Sequence, residues 1–207
     1  MVESELGEIP SDFEGLFLSH NVNFLSGGTP KTKITEYWNG DILFYTPKDS
    51  KNSIYVTETE KAITELGLSK CNSRLYPVNT VFITARGTVG NLNMANKNMA
   101  MNQSCFALEH KEGYQYYLFF VMKTLLRQII QGANGAVFSA INLKDLNTLK
   151  VAYPPSRLIV LFEETVKDIF RLLQEKELEN INLAQLRDTL LPKLLSGEIE
   201  LPIEEEV

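Results

Sequence analysis

The chain has 207 residues, 44% of them hydrophobic, with 20 Lys and Arg against 26 Asp and Glu and a formal net charge of −6. That length allows one domain plus an appendage or two small domains around an ordinary core, and the acidic balance taken whole argues against a nonspecific nucleic-acid binder. Cys71 and Cys105 stand apart from each other and from His20 and His110, which excludes a four-ligand structural zinc; no metal and no cofactor are expected.

No apolar run reaches membrane-spanning length. Glu3, Glu5 and Glu8 stand where a signal peptide carries basic residues. A cytoplasmic chain with reduced cysteines and no membrane partner is therefore expected. The charge is uneven. Arg157 to Val207 carries twelve acids against six bases, which is the entire net charge. The first fourteen residues add five acids and no base, so Gly15 to Ser156 is left at +5. A mildly basic body joined to an acidic segment is compatible with DNA contact by the body alone.

In chain order, Leu6 to Pro10 reads as a lead-in, and Gly15 to Leu25 as a short strand or helix. Ser26-Gly27-Gly28-Thr29-Pro30 is a strong turn. It lacks the Gly-Lys-[Ser/Thr] ending of a phosphate-cradling loop. Asp41 to Tyr45 reads as a strand and Thr46 to Asp49 as the loop after it. Lys61 to Leu66 reads as a short helix stopped by Gly67. Thr80 to Ala85 is the clearest buried strand, and Arg86 to Gly90 follows as a tight loop. Asn102-Gln103-Ser104 precedes a strand from Cys105 to Leu108. Gln115 to Ile130 is apolar at helical spacing, with Lys123, Arg127 and Gln128 as its polar side and Gly132 to Gly135 as its end. Ile141, Leu143, Leu146 and Leu149 lead into a strand from Lys150 to Tyr153. Strands dominate the body and helices come late, an α+β class.

From Pro155 the character changes. Leu158, Phe162, Val166, Ile169 and Leu173 recur at spacings of three and four, and Leu183, Leu186, Leu190 and Leu194 resume the pattern. That is the period of an apolar stripe on a helix. Pro155 opens it and Ser196-Gly197 stops it; Pro192 is expected to kink or end it near Leu191. About 40 residues make a rod of about 60 Å, whose stripe must face another helix. Gln174-Glu175-Lys176-Glu177 interrupts the stripe. A loop between two shorter helices is one reading; the absence of Gly and Pro between Arg157 and Leu191 favours one helix with a phase shift. The expected division is a body at 1–155, the helix at 156–196 and an acidic tail at 197–207.

The order of segments resembles a known family. The lead-in Gly7-Glu8-Ile9-Pro10 is followed by Ser26-Gly27-Gly28-Thr29-Pro30, Glu36-Tyr37-Trp38-Asn39-Gly40-Asp41-Ile42 and Thr46-Pro47-Lys48-Asp49. Then come Ile63-Thr64-Glu65-Leu66-Gly67-Leu68, Ala85-Arg86-Gly87-Thr88-Val89-Gly90, Asn102-Gln103 and Tyr153-Pro154-Pro155. The chain closes with Leu186-Arg187-Asp188-Thr189-Leu190-Leu191-Pro192-Lys193-Leu194-Leu195-Ser196-Gly197-Glu198-Ile199. In that order they resemble the DNA-specificity subunits of type I restriction–modification systems, over about Leu6 to Leu201. The resemblance implies a globular target-recognition domain of mixed strands and helices followed by one long coiled-coil helix. It implies a non-catalytic subunit that binds double-stranded DNA and docks methyltransferase and restriction subunits. Family members carry two reading domains and two long helices; this chain has one of each. It resembles a half-length form that reads one half of a bipartite target, completed by an antiparallel second copy or another half-subunit.

Arg86, at a loop tip, suits guanine edges or phosphates. Thr88, Asn102 and Gln103 can bond bases or cap turns. Thr29 and the lysines Lys31, Lys33, Lys48 and Lys51 flank the early loops as candidate DNA contacts. Trp38 and Tyr37 read as packing rather than base stacking. The partner-facing helix positions are Phe162, Val166, Ile169, Leu173, Leu183, Leu186 and Leu190. Enzyme readings lack parts: Tyr153-Pro154-Pro155-Ser156 has the prolines of an amino-methyltransferase loop with the wrong neighbours. Glu109-His110-Lys111 is the minimal spacing of a metal-dependent nuclease, a pattern that arises often by chance. A coiled-coil assembly factor without DNA contact is the other alternative.

Overall fold

The computed structural model describes residues 1–132 and 140–199. Of the expected features, the stop running on to Gly135, the side chain of Gln128 and most of the 197–207 tail lie outside the described residues. Strand β1 (Val2–Ser4) pairs with β2 (Gly7–Ile9) as a hairpin. The expected element from Gly15 to Leu25 is two strands, β3 (Glu14–Phe17) and β4 (Val22–Ser26), split by a single 3-10 turn. Then come β5 (Trp38–Tyr45), β6 (Tyr55–Val56), β7 (Ala62–Ile63) and helix α1 (Glu65–Ser69). The centre of the body holds β8 (Val81–Thr84), β9 (Leu92–Ala95), β10 (Met99–Met101) and β11 (Cys105–His110). Helix α2 (Gln115–Gly132), α3 (Leu143–Asn147), β12 (Lys150–Tyr153) and α4 (Ser156–Leu195) complete it.

A five-stranded sheet in the order β4-β11-β8-β9-β6 is the centre of the body. All four residues of β8 are buried because both faces of this sheet are covered. Successive side chains point to opposite faces. Val81 and Ile83 join Leu118, Met122, Leu126 and Phe170 on the helix side. Phe82 points the other way, onto Tyr45, Met99 and Met101. Those residues belong to the three-stranded sheet β10-β5-β7, in which β10 runs parallel to β5. Strand β12 pairs with β3, bringing the chain back to its beginning just before α4.

The expected helix at Lys61 to Leu66 is instead β7 followed by α1. Ala62 and Ile63 pair with β5, Thr64 caps α1 through a hydrogen bond from Gly67 N–H, and Gly67 lies inside the helix rather than stopping it. A Cβ on Gly67 would sit 2.3 Å from the Tyr37 carbonyl oxygen, so a close approach and not a helix stop explains the glycine. Pro192 does not end α4. Its missing N–H costs the helix one bond, and the helix runs on to Leu195. There Glu198 N–H bonds Lys193 O and Gly197 N–H bonds Leu194 O, with Gly197 at φ +74°, a glycine-terminated cap. The interruption at Gln174 to Glu177 is helical throughout.

Candidate nucleic-acid interface

Four connections gather at one edge of the body: residues 26–31 after β4, 46–51 after β5, 86–91 after β8 and 102–104 before β11. The register explains this. Strand β10 runs beside β5 in the same direction, so Asn102 emerges next to Tyr45, whose carbonyl accepts from Asn102 N–H at 2.9 Å. Gly28 N–H bonds Met101 O at 3.2 Å, and the Thr29 hydroxyl donates to Gln103 Oε1. A Cβ on Gly27 would lie 2.2 Å from Asn102 O, so only glycine lets these two backbones meet. Ala85 and Arg86 N–H both bond Ser104 O, while Thr88 Oγ1 donates to Pro47 O at 3.2 Å. Thus Thr29, Lys48, Lys51, Arg86, Thr88, Asn102 and Gln103 share one surface. Lys31 and Lys33 extend it along the first loop, which Trp38 Nε1 anchors by donating to Lys31 O at 3.3 Å.

Beneath the loops lies a network that fixes their positions. Asp49 is buried; its carboxylate accepts from Thr46 N–H, Thr46 Oγ1 and Glu60 N–H. Asn93 Oδ1 accepts from Tyr45 OH and Ser50 Oγ, and its amide donates to the Lys51 and Ser53 carbonyls. Burial pushes the Tyr45 hydroxyl well above its ordinary pKa, so it stays a donor. Asp49 is the sole acid in the four connections, against exposed Lys31, Lys48, Lys51 and Arg86. Lys48 lies 3.5 Å from Glu60 across an exposed pair, which is worth little. The net surface is cationic, rigidly based and rich in amide and hydroxyl groups, as reading a duplex requires.

Two residues read earlier only as the polar side of a helix belong here. The far end of α2 reaches the same edge, and Ile141 N–H bonds Ala85 O where the chain returns. Lys123 and Arg127, one turn apart on α2, wall a groove of about 300 Å³ with Lys51, Asn52 and Asn91. A pair of cations at i, i+4 is the only signal the sequence carries for this.

Glu109-His110-Lys111 is structural. Glu109 faces Arg74, at 4.0 Å, and Lys111 Nζ donates to the Ser19 and His20 carbonyls. His110 is buried, its Nδ1 accepting from Glu112 N–H at 3.1 Å; Nε2 therefore carries the proton and donates to Tyr153 OH at 2.8 Å. Among the described residues, no three His, Cys, Asp or Glu side chains cluster to hold a metal, and no helix is long and apolar enough to cross a membrane.

The helix α4 is fastened to the body along its first half. Ile159 and Phe170 are buried, and Phe170 stacks on Tyr116 at 4.3 Å. Val166 and Leu173, expected on the partner-facing stripe, are half-buried against this core, and Phe162 meets the rings of Tyr117 and Phe120. Three polar pins supplement them. Glu163 accepts from Tyr117 N–H at the start of α2, Gln174 donates to Asn96 O, and the Glu177 carboxylate accepts from Ile54 and Tyr55 N–H at 3.1 Å each. Burial raises the pKa of Glu163 and Glu177 against these bonds. Ile169, Leu183 and Leu186 are exposed and Leu190 is partly so; beyond Glu177 the helix projects from the body.

A family model described as "Type I restriction modification DNA specificity domain" matches residues 10–186. The specificity subunit of the type I restriction enzyme MjaIX of Methanocaldococcus jannaschii is 33% identical over 73% of this chain and 36% of its own length. That of HindI from Haemophilus influenzae is 25% identical over 92% of this chain and 42% of its own. Among solved structures, the type I restriction–modification S subunit from M. genitalium superposes with a TM-score of 0.65 at 21% identity, covering 89% of this chain and 46% of that one. The HsdS subunit from Thermoanaerobacter tengcongensis gives 0.57 at 19%, covering 93% and 47%; both show likeness of fold. The chain spans less than half the length of these relatives.

Proposed function

The chain belongs to the type I restriction–modification DNA specificity family, and on that premise we propose that its body reads one half of a bipartite DNA target. The observation that carries this reading is the convergence of the four loops on one cationic edge, with a buried network holding them in place. Arg86, Asn102 and Gln103 are the readers of base edges, and Thr29 and Thr88 hold the loops together. Lys31, Lys33, Lys48 and Lys51 contact phosphates. The role is recognition without catalysis, in the cytoplasm. The projecting helix pairs antiparallel with a second copy, or with another half-subunit, and the assembled pair docks the methyltransferase and restriction subunits.

The test is selection of DNA from a random pool by the protein with its methyltransferase partners. Enrichment of a two-part target with an unread spacer is the expected result. Binding without sequence preference would leave only an assembly role, and labelled methyl transfer or metal-dependent cleavage by this chain alone would make it an enzyme.

A further inference from the structure

We propose that a charged layer formed by Lys176 and Glu179 fixes the register of an antiparallel homodimer, with its two-fold axis between Glu177 and Leu178. The proposal rests on the homodimer reading above and adds to it which residues meet. The body occupies one face of α4, that of Ile159, Val166, Phe170 and Glu177. About a third of a turn away runs a second row with strict three-four spacing, the repeat of a coiled coil. It comprises Phe162, Thr165, Ile169 and Leu172, then Lys176 and Glu179, then Leu183, Leu186 and Leu190. Ile169, Leu172, Leu183 and Leu186 are each more than half exposed, at 56%, 53%, 55% and 54%. No part of the described chain covers them.

The row is symmetric about its polar centre. Antiparallel pairing about that point sets Leu172 against Leu183 of the partner subunit and Ile169 against Leu186 of the partner subunit. Lys176 then meets Glu179 of the partner subunit, twice across the axis. Within one chain Lys176 Nζ already lies 2.6 Å from Glu179 Oε2, and both side chains are largely exposed. Two such pairs facing each other form a ring of four alternating charges. A slip of one heptad in either direction destroys the match. In one sense Lys176 meets Leu186 and Glu179 meets Leu183 of the partner subunit; in the other, Leu172 meets Lys176 and Ile169 meets Glu179. Each slip buries charges against leucine without a counter-ion, whereas a polar layer matched only in one register specifies it.

The same register also bears on an apolar groove of the body. Some 670 Å³ open between Leu6, Phe13, Phe120, Leu158 and Phe162 at the start of α4. There the pairing sets Lys193 of the partner subunit against Phe162, with Leu190 of the partner subunit against Thr165 one turn on, so the partner's helix end lies along the groove.

Cysteine pairs placed at exposed positions test the register, in a chain carrying Cys71→Ser. Mild oxidation of the Ile169→Cys, Leu186→Cys double variant is expected to give a disulfide-linked dimer in high yield. The Leu172→Cys, Leu190→Cys pair, which meets only after a heptad slip, is expected not to link. Linking of the second pair instead, or of neither in a protein that sediments as a dimer, overturns the register and leaves homodimerisation standing. A wild-type chain that sediments as a monomer at tens of micromolar overturns homodimerisation itself. In a second test, Lys176→Glu and Glu179→Lys chains are each expected to lose dimer at least tenfold alone and to dimerise when mixed; dimers of either chain alone would refute the charged layer.

Discussion

Arg86 sits at the junction of two loops, its backbone held by Ser104 and its side chain exposed. If it reads a base, Arg86→Ala weakens discrimination at one position of the half-site by about 1–3 kcal/mol. A phosphate contact would instead weaken all sequences alike. Lys123 and Arg127 supply that contrast. Both are exposed beside the groove they share with Lys51 and Asn91. Replacing both with Ala is expected to lower affinity for every sequence and to reduce the slope of log affinity against log salt by roughly two, leaving the preferred target unchanged. Competition titrations at several salt concentrations measure both quantities. At the other end of the body, burial lowers the pKa of His110, and the neutral ring is the form its two hydrogen bonds need. The unfolded chain therefore binds the extra proton first. This contribution is present above the ordinary histidine pKa of about 6.5 and is lost as pH falls below it. Thermal melts should show a midpoint that falls as pH drops below about 6.5, with a shallower slope in His110→Gln.

At the scale of elements, the attachment of α4 determines how the proposed reading edge is aimed. Glu177 reaches two backbone N–H groups at the entry to β6. Glu177→Gln keeps one acceptor and turns an amide donor toward the other N–H, a cost of about 1–3 kcal/mol. Chemical denaturation is expected to show that loss, and amide exchange at Ile54 and Tyr55 to accelerate. The elements were unequally legible in the sequence. Strand β8 and helix α4 were readable because a strand covered on both faces leaves a continuous apolar run, and a helix stripe leaves a period, in the residues themselves. Strands β6, β9 and β10 were not. They are two to four residues long, and Asn93 and the Met99-Ala100-Met101 run owe their burial to partners distant in sequence. The order of the loops was legible in their glycines and prolines. The place of Lys123 and Arg127 was not, since nothing within α2 says which edge of the sheet its end approaches. Val166 and Leu173 show the same limit: a three-four spacing marks an apolar helix face, and two faces a third of a turn apart look like one stripe with a flaw.

For the whole molecule, in the proposed homodimer the distance between the two candidate reading edges follows from where the helices cross. The body grips α4 from Ile159 to Glu177, so the middle of the grip lies about ten residues before the proposed two-fold axis. Two such bodies are then about 30 Å apart along the rod, close to one DNA turn of about 34 Å. The two-fold axis turns the second body end for end, so a homodimer reads an inverted repeat. Centres of the half-sites are therefore expected about nine or ten base pairs apart, with an unread spacer between them. A heptad slip that lengthens the pair would add about 10 Å, or about three base pairs. Mapping methylated positions left by the assembled complex measures the spacing directly. A target with unrelated halves would place a different half-subunit on the second helix, and a continuous target would mean that the two bodies do not read DNA as a pair.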